Sequence, residues 1–557
     1  MSVSSRSRAA APRALPSIGL LLVALAIVAL ALLVFSGGAA ALGDPIDERA
    51  ADPLANETGT TDIVVRLDPI GEPDAEGDAV VDELRDHAAD QRTAFEAFAE
   101  ETDGMTIQRE FWLANALLVS VDADETEAAD LLSVANVTGI HDNVVVGTHG
   151  DLAPDDAHEP VETGDTREQV DIDHTREQVD SQPSGSHTAG LDLIDVPDAW
   201  DRFDTRGSGA TVAVIDTGVD PTHQDIELAA WADFDENGTL VSDDVADATD
   251  PDGHGTHVAG TVAGGDASGT YVGVAPDATI HGIDAFGEDG SATFAGVLAA
   301  MEHATADEDV DVLQMSLGAS GTFRGFIAPV RNARASGAIV VAAAGNEGEN
   351  TSSSPANVHD ALAVGAVRAD ENRTVAEFSS GEPINSTAAF GEFPEDWPDH
   401  YVVPDVTAPG VNVVSAESGT TDGYVRRQGT SMAAPHVSGL AALAVAATDG
   451  RIDPDGLQTT LVDTAVHPDG PNAGPDHRHG HGVVDAPAAV AAAVDAAPPP
   501  ESQPAENGDD EPGTGADGGQ DVDDDTPGFG IAPAIVAVIA VLAGVLSARR
   551  VRGGRRV

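Results

Sequence analysis

Between residues 191 and 496 the chain alternates short apolar runs with helical stretches rich in small residues. The runs are Thr211–Ile215, Ala278–Ile283, Val312–Met315, Ala338–Ala344 and Ala361–Val367. Because both faces of each run are apolar, the pattern is typical of strands buried in a parallel sheet with helices on both sides. We therefore predict an α/β domain at 191–496, built on a doubly wound parallel sheet, with functional side chains at the carboxyl ends of its strands.

A separate unit is predicted at residues 62–146, where strands and helices alternate. Its elements are a strand at Thr61–Leu67, a helix at Val80–Glu100, a strand at Phe111–Val121, a helix at Glu125–Val134 and a strand at Val137–Val146. Elements of these lengths fit a small α+β sandwich. Residues 147–190 are polar and contain one repeated short block, so they are predicted to be a linker.

Both ends of the chain carry a hydrophobic segment. Arginines precede the apolar run Ile18–Phe35 and small residues follow it, which predicts a signal segment at 1–43. The run is long for a signal peptide, so an uncleaved anchor is the alternative interpretation. Near the other end, a predicted disordered acidic stalk at 497–526 leads into a hydrophobic anchor or sorting signal at 527–557, where arginines follow the apolar run Ile531–Leu546.

Arginines lie outside both hydrophobic segments, so the positive-inside rule places both tips in the cytoplasm and the rest of the chain outside. We expect an extracellular protein anchored to the outer face of the cell membrane. The Pro527–Phe529 triplet, the apolar run and the basic tail together resemble the sorting signal that archaeosortases cut and exchange for a lipid anchor. This resemblance implies an archaeosortase as a partner, and an ordinary single-pass anchor is the alternative.

Composition narrows the function classes. The chain has 96 acidic and 26 basic residues, no lysine, and a net charge of -70. Such a charge repels phosphate backbones, which excludes nucleic acid as an expected partner. The acidic, lysine-free composition is similar to that of proteins from salt-loving archaea. The absence of cysteine excludes disulfides, thiolate metal sites and a cysteine nucleophile.

Three motifs carry candidate chemistry. Asp216 ends an apolar run, His254 lies before a predicted helix, and Ser431 lies at the start of another helix. Each motif alone has alternatives: an aspartic protease, a metal pair of His254 and His257, or a serine that only caps a helix. An aspartic protease would need a second Asp-Thr-Gly motif, and the sequence has none. A metal site would need an acidic residue beside its histidines, and none stands between His254 and His257. Together, Asp, His and Ser across an α/β domain are what a nucleophilic triad requires.

The full motifs are Ala213–Asp220, His254–Gly260 and Gly429–His436. They resemble the three signatures of the subtilisin-like serine proteases, and the resemblance covers about 196–489. It implies a serine endopeptidase that acts on polypeptide substrates through Asp216, His254 and Ser431. The segment around Asn346 is similar to the family segment whose Asn side chain donates to the oxyanion.

The resemblance also implies substrate-binding segments. Ser316, Leu317 and Gly318 match the strand that lines the pocket for the residue before the scissile bond. Asp289, Gly290 and Ser291 match the strand that pairs with bound peptide. Both segments bind through backbone groups, so the substrate is expected to add as an extended strand.

Two further roles follow from the resemblance. Residues 62–146 correspond to the family's inhibitory prodomain, with a ferredoxin-like order of elements. This correspondence implies a zymogen that processes itself and binds its own prodomain. An unrelated accessory domain is the alternative. Asp225 matches the family's strongest calcium ligand, so Ca²⁺ is a candidate cofactor that the chemistry does not require. The pair Asp266–Ala267 stands where the family has two Asn residues, which removes one expected ligand.

Two other interpretations stay open. The His477–His481 segment has a metal-like spacing, although it overlaps a segment that matches the end of the family's catalytic domain. A catalytically inactive surface protein that uses the protease fold as a binding scaffold is the alternative function. That alternative predicts loss of catalytic side chains, whereas Asp216, His254, Asn346 and Ser431 are all present in the sequence.

Overall fold

A computed structural model describes residues 53–148, except 56, 72, 74 and 76–78, and residues 185–499, except 288, 289 and 308. The predicted signal segment, the C-terminal anchor, the stalk beyond residue 499 and most of the linker lie outside the described residues. The chain divides into two compact units at residue 500, and all described residues belong to the first.

Residues 53–148, here called the N-terminal unit, form a four-stranded antiparallel sheet in the order β2-β3-β1-β4. The elements are β1 (Thr60–Leu67), α1 (Ala79–Glu101), β2 (Thr106–Phe111), β3 (Ala116–Asp122), α2 (Ala128–Leu132), β4 (Val137–Asp142) and β5 (Val145–Val146). The sequence predicted one strand at 111–121. The chain instead turns between β2 and β3, where Asn115 adopts a positive φ of 47°.

The two faces of this sheet pack against different partners because side chains alternate along a strand. Ile63 and Val65 of β1 pack with Phe95 of α1 and Leu131 of α2 in a core of the unit's own. Val64 and Leu118 belong to a second core, shared with the rest of the chain. The N-terminal unit therefore buries one sheet face against the described residues 185–499, here called the main domain.

The main domain contains an eight-stranded sheet in the order β18-β15-β13-β11-β6-β9-β7-β8, parallel except for the pairing of β7 with β8. Its strands are β6 (Thr211–Asp216), β7 (Leu228–Phe234), β8 (Leu240–Ser242), β9 (Thr279–Asp284), β11 (Val312–Met315), β13 (Ile339–Ala343), β15 (Leu362–Val367) and β18 (Val406–Pro409). The predicted α/β class is confirmed, and each of the five predicted runs contains a strand of this sheet. Four of these strands are buried throughout, whereas β9 has half-buried positions at Thr279, His281 and Asp284. The half-exposed β7 was not among those runs.

Shorter strands and the helices complete the main domain. The short strands are β10 (Ala292–Thr293), β12 (Ala319–Ser320), β14 (Ser353–Ser354), β16 (Glu382–Asn385), β17 (His400–Val403), β19 (Val413–Ala416) and β20 (Tyr424–Arg427). The helices are α3 (Ala189–Leu193), α4 (Val196–Phe203), α5 (His254–Ala263), α6 (Phe294–Thr305), α7 (Ile327–Ala335), α8 (Ser386–Phe390), α9 (Thr430–Ala447), α10 (Pro454–Asp463) and α11 (Ala486–Ala496), with 3₁₀ turns at Val245–Asp247 and Arg324–Phe326.

Helices cover both faces of the sheet. Residues of α5, α9 and α11 form the core on one face, and residues of α6 and α7 form the core on the other. Among the described residues, one helix is long and apolar enough to cross a membrane, Thr430–Ala447, and 89% of it is buried within the protein. This helix is α9, and its all-round apolar surface is what a central core helix requires.

The central position of α9 generates a stability prediction. Leu440 is fully buried in α9, whereas Val494 in α11 is 42% exposed. Leu440→Ala should lower the free energy of unfolding by about 2–5 kcal/mol because it removes buried methyl groups and leaves a cavity. Val494→Ala should change it by less than about 0.5 kcal/mol. Urea unfolding followed by circular dichroism at one salt concentration measures both, and equal effects would contradict the burial.

Candidate active site

The aspartate and histidine of the predicted triad meet at the carboxyl end of β6. Asp216 is the last residue of this strand and His254 is the first residue of α5, and both side chains are buried. His254 Nδ1 lies 2.6 Å from Asp216 Oδ1, and the Thr217 backbone N–H donates to the same oxygen at 2.8 Å. This contact orients the imidazole so that Nδ1 donates to Asp216, and it leaves Nε2, the other ring nitrogen, as the nitrogen without the proton.

The pair also changes the basicity of the histidine. Burial alone would lower the pKa of His254, because it disfavours the charged ring. The Asp216 carboxylate acts in the opposite direction through its charge and its hydrogen bond, and the pKa of His254 is raised above its ordinary value. The imidazole is thus a stronger base than an isolated buried histidine.

Ser431 is the second residue of α9, which places its hydroxyl at the start of the central helix. Ser431 Oγ lies 3.2 Å from the carbonyl oxygen of Ser316 and 3.2 Å from that of Thr148, and its single hydroxyl proton can be donated to either one. The Ser316 hydroxyl in turn donates to the Ser431 carbonyl at 2.7 Å. The contact with Ser316 therefore joins the start of α9 to the residue that follows β11.

Asn346 follows β13 and is held beside the start of α9. Its Oδ1 accepts from the Thr430 backbone N–H at 2.9 Å and from the Thr430 hydroxyl at 3.0 Å. Because Oδ1 is used in this way, Nδ2 is the edge of the amide that can donate to a reacting oxygen.

The cleft beside Ser431 holds the last described residues of the N-terminal unit. Val145 and Val146 pair antiparallel with Thr293 and Ala292. On the other side, Gly147 exchanges two backbone hydrogen bonds with Gly318, at 3.0 and 2.9 Å. The segment thus lies in the cleft as an additional strand and places the Thr148 carbonyl at Ser431.

The other predicted substrate-binding residues are placed differently. Leu317 is fully buried in the core, so its contribution to the cleft is backbone. Gly290 lies in a turn with a φ of 78°, and Ser291 accepts from the Gly287 N–H. Asp289 lies outside the described residues. The pairing with the peptide is made by Ala292 and Thr293, directly beyond the predicted segment.

Sequence reasoning missed one carboxylate of the site, Asp250. It is 2% exposed, and its two oxygens accept from the Thr217 hydroxyl, the Gly253 N–H, and the N–H and hydroxyl of Thr256, at 2.6 to 2.9 Å. Burial raises the pKa of Asp250 to about 6, against the effect of these donors. Its position four residues before His254 was the only available signal, in a chain with many acidic residues.

Two buried histidines lie near the motifs and have structural contacts. His257 Nε2 hydrogen-bonds the Val413 carbonyl at 3.0 Å, and His436 Nδ1 hydrogen-bonds the Met432 carbonyl at 2.9 Å. Burial lowers the pKa of His257 to about 3 and that of His436 to about 4, so both rings are neutral. A metal pair of His254 and His257 is not favoured, because each ring already has a different partner.

Comparison with known proteins places this geometry in a family. Residues 207–482 match the model of the subtilase family. Over 290 residues the chain is 35% identical to subtilisin DY of Bacillus licheniformis, covering 51% of this chain and 92% of that protein. It is 36% identical over 254 residues to subtilisin BL of Lederbergia lenta, covering 46% and 82%. The chain belongs to the subtilase family.

The name of a third relative states a serine protease activity. The chain is 34% identical over 262 residues to the major intracellular serine protease of Bacillus subtilis, covering 46% of this chain and 73% of that protein. Membership of the subtilase family confirms the predicted enzyme class, a serine-type endopeptidase. An inactive scaffold is correspondingly not favoured.

Subtilases generally bind calcium, so the oxygens around the predicted ligand Asp225 decide whether this chain fits the ion. Its Oδ1 accepts from the Ala267 N–H at 2.8 Å and its Oδ2 accepts from the Tyr424 hydroxyl. In the adjacent loop, the carbonyls of Gly265 and Asp266 accept from backbone N–H groups within the loop. Calcium requires six to eight oxygens, and residue 267 supplies no side-chain oxygen. The described residues therefore do not fit a calcium ion here.

This arrangement predicts that calcium does not stabilise the fold through Asp225. Adding millimolar calcium to exhaustively dialysed protein should leave the thermal midpoint unchanged at constant salt. Tyr424→Phe should lower the free energy of unfolding by about 1–3 kcal/mol, because it leaves a buried carboxylate oxygen without its donor. Differential scanning calorimetry measures both effects. A calcium-dependent rise in the midpoint that disappears in Asp225→Asn would contradict the interpretation.

Proposed function

We propose that this subtilase is an extracellular, surface-associated serine endopeptidase, made as a zymogen, that uses Asp216, His254 and Ser431 as its catalytic triad. The observation that carries the proposal is the Thr148 carbonyl, which lies 3.2 Å from Ser431 Oγ at the end of a strand-paired peptide. A peptide carbonyl beside the nucleophile is what the ground state of acyl transfer requires.

The chemistry follows from the residue types. The Ser431 hydroxyl turns from its carbonyl acceptors and gives its proton to His254 Nε2, while Oγ forms a bond to the peptide carbon. The Ser431 N–H and Asn346 Nδ2 stabilise the oxyanion, and one such donor contributes about 2.7–4 kcal/mol. The C–N bond then breaks as His254 protonates the amine, and water hydrolyses the acyl-enzyme by the same steps.

Extended polypeptide is the proposed substrate class. The segment in the cleft is bound mainly through backbone hydrogen bonds, with β10 on one side and Gly318 on the other. Such pairing recognises any extended chain and leaves side-chain preference to the pockets between the strands.

The N-terminal unit is the proposed inhibitor of the zymogen. It docks on α6 and α7 as well as in the cleft: the Leu113 N–H donates to Glu302 Oε1 at 2.9 Å, and Asn332 Nδ2 donates to the Leu113 carbonyl at 2.6 Å. Burial in this contact raises the pKa of Glu302 to about 7. Because the same unit fills the cleft, substrate cannot bind until it leaves.

The cellular location rests on the sequence. The hydrophobic segments at 1–43 and 527–557, with arginines at both tips, support an enzyme held at the outer face of the membrane. The Pro-Gly-Phe signal supports processing by an archaeosortase, and the charge of -70 supports function in high salt. Each of these roles is part of the same proposal.

The triad is tested by one substitution and a matched control. Ser431→Ala should lower the rate of casein hydrolysis in high salt by several orders of magnitude, because it removes the nucleophile. Ser336→Ala, at the end of α7, should retain activity because, within the part of the chain that the structure describes, its hydroxyl donates to the Asn332 carbonyl alone. Persistence of wild-type hydrolysis in Ser431→Ala would overturn the enzyme mechanism proposed.

The zymogen is tested by the position of the maturation cut. The Thr148 carbonyl is the peptide carbonyl beside Ser431 Oγ, so we expect cleavage of the bond between Thr148 and His149, giving a mature chain that starts at residue 149. N-terminal sequencing and intact mass measure this. The Ser431→Ala precursor should stay uncut, and Ser336→Ala should mature normally. A stable active enzyme that still starts at residue 44 would contradict the inhibitory role.

A further inference from the structure

Three potential metal-ligating side chains meet in the segment between α10 and α11. His467, Asp476 and His479 each offer one ligand atom, and these atoms lie within 4.8 Å of one another. The segment is held in place by two pairs of backbone hydrogen bonds, between Val466 and Val483 and between Asp476 and Gly480. The three side chains are therefore positioned by a closed loop.

The loop backbone holds the Asp476 carboxylate in place. Its Oδ1 accepts from the backbone N–H groups of Arg478 and His479 at 2.7 and 2.8 Å. The second oxygen, Oδ2, faces the two imidazoles.

The two imidazoles contact Oδ2 unequally. His467 Nε2 lies 3.1 Å from it, within hydrogen-bond distance. His479 Nδ1 lies 3.8 Å from it, which is too long for a hydrogen bond. The His479 ring therefore faces the Asp476 carboxylate across a gap that no direct hydrogen bond spans.

We propose that His467, Asp476 and His479 bind a zinc-class divalent cation through two nitrogens and one oxygen. Bond lengths of 2.0–2.1 Å in a tetrahedral site place ligand atoms about 3.3 Å apart. The separations of 3.1 and 3.8 Å lie on either side of that value, so small side-chain rotations complete the site. A water molecule takes the fourth position, on the side where Asp476 is 39% exposed.

Binding has one identifiable cost. His467 Nδ1 accepts from the Asp469 N–H at 3.2 Å, so its ring proton is on Nε2. The cation replaces that proton at Nε2, Nδ1 takes up a proton, and the contact with Asp469 is lost. The net number of protons on the ring is unchanged.

The ligand set selects the class of ion. Two imidazoles and one carboxylate suit zinc and its first-row neighbours, whereas calcium and magnesium prefer oxygen alone. A bound ion would fix the loop that carries Arg478, whose guanidinium donates to the carbonyls of Ser379 and Ala376. In a chain without cysteine, such an ion supplies a cross-link that disulfides cannot.

The test uses the full chain with Ser431→Ala to prevent autolysis, without a histidine tag and after removal of metals by a chelator. Isothermal titration with zinc should give one saturable site, and cobalt should give the visible absorption bands of a tetrahedral centre. His479→Gln and Asp476→Asn should each weaken zinc binding at least tenfold. His481→Gln, two residues from His479 but outside the group, should bind as the parent does.

Circular dichroism of the variants checks that they fold. If His479→Gln does not fold, Asp476→Asn, which keeps the size of the side chain, still tests the proposal. Absence of saturable zinc binding by the parent chain would overturn the proposal. Equal zinc affinity in the parent, His479→Gln and Asp476→Asn would also overturn it, because the ion would then occupy another group of side chains.

Discussion

The contact between His254 and Asp216 is the constraint on which the rest of the site depends. It joins the end of β6 to the start of α5 through one 2.6 Å separation in a buried place. Gly255 permits this approach: a side-chain carbon there would lie 2.0 Å from the Gly218 carbonyl oxygen. Asp250 adds four hydrogen bonds across the same junction. The basicity of the histidine therefore rests on close packing of strand and helix backbones.

Much of the main domain could be predicted from the sequence, because its strands are apolar on both faces and appear as continuous runs. The N-terminal unit was harder. Its apolar stretch from Phe111 to Val121 reads as one strand, but the turn at Asn115 divides it. The strand β2 alternates exposed and half-buried positions, so its sequence carries only a weak apolar signal. Local pattern therefore identified buried strands better than edge strands.

The candidate site shows the same division. Asp216, His254, Ser431 and Asn346 lie in motifs, so the sequence alone pointed to them. Asp250 lies among 96 acidic residues, and its burial and its four hydrogen bonds become visible only in the folded chain. The position of Thr148 depends on how two distant segments pack, and no local pattern encodes such a contact. The grouping of His467 with Asp476 and His479 is likewise a product of loop closure.

The segment in the cleft also provides hydrogen-bond acceptors for the first amides of α6, the helix that follows β10. The Phe294 N–H donates to the Val144 carbonyl at 2.9 Å, and the Ala295 N–H donates to Asn143 Oδ1 at 3.0 Å. These are among the first amides of α6, which have no acceptor within the helix itself. Under the proposed zymogen mechanism, release of the N-terminal unit would transfer both amides to water and rehydrate the first turn of a core helix at the edge of the cleft.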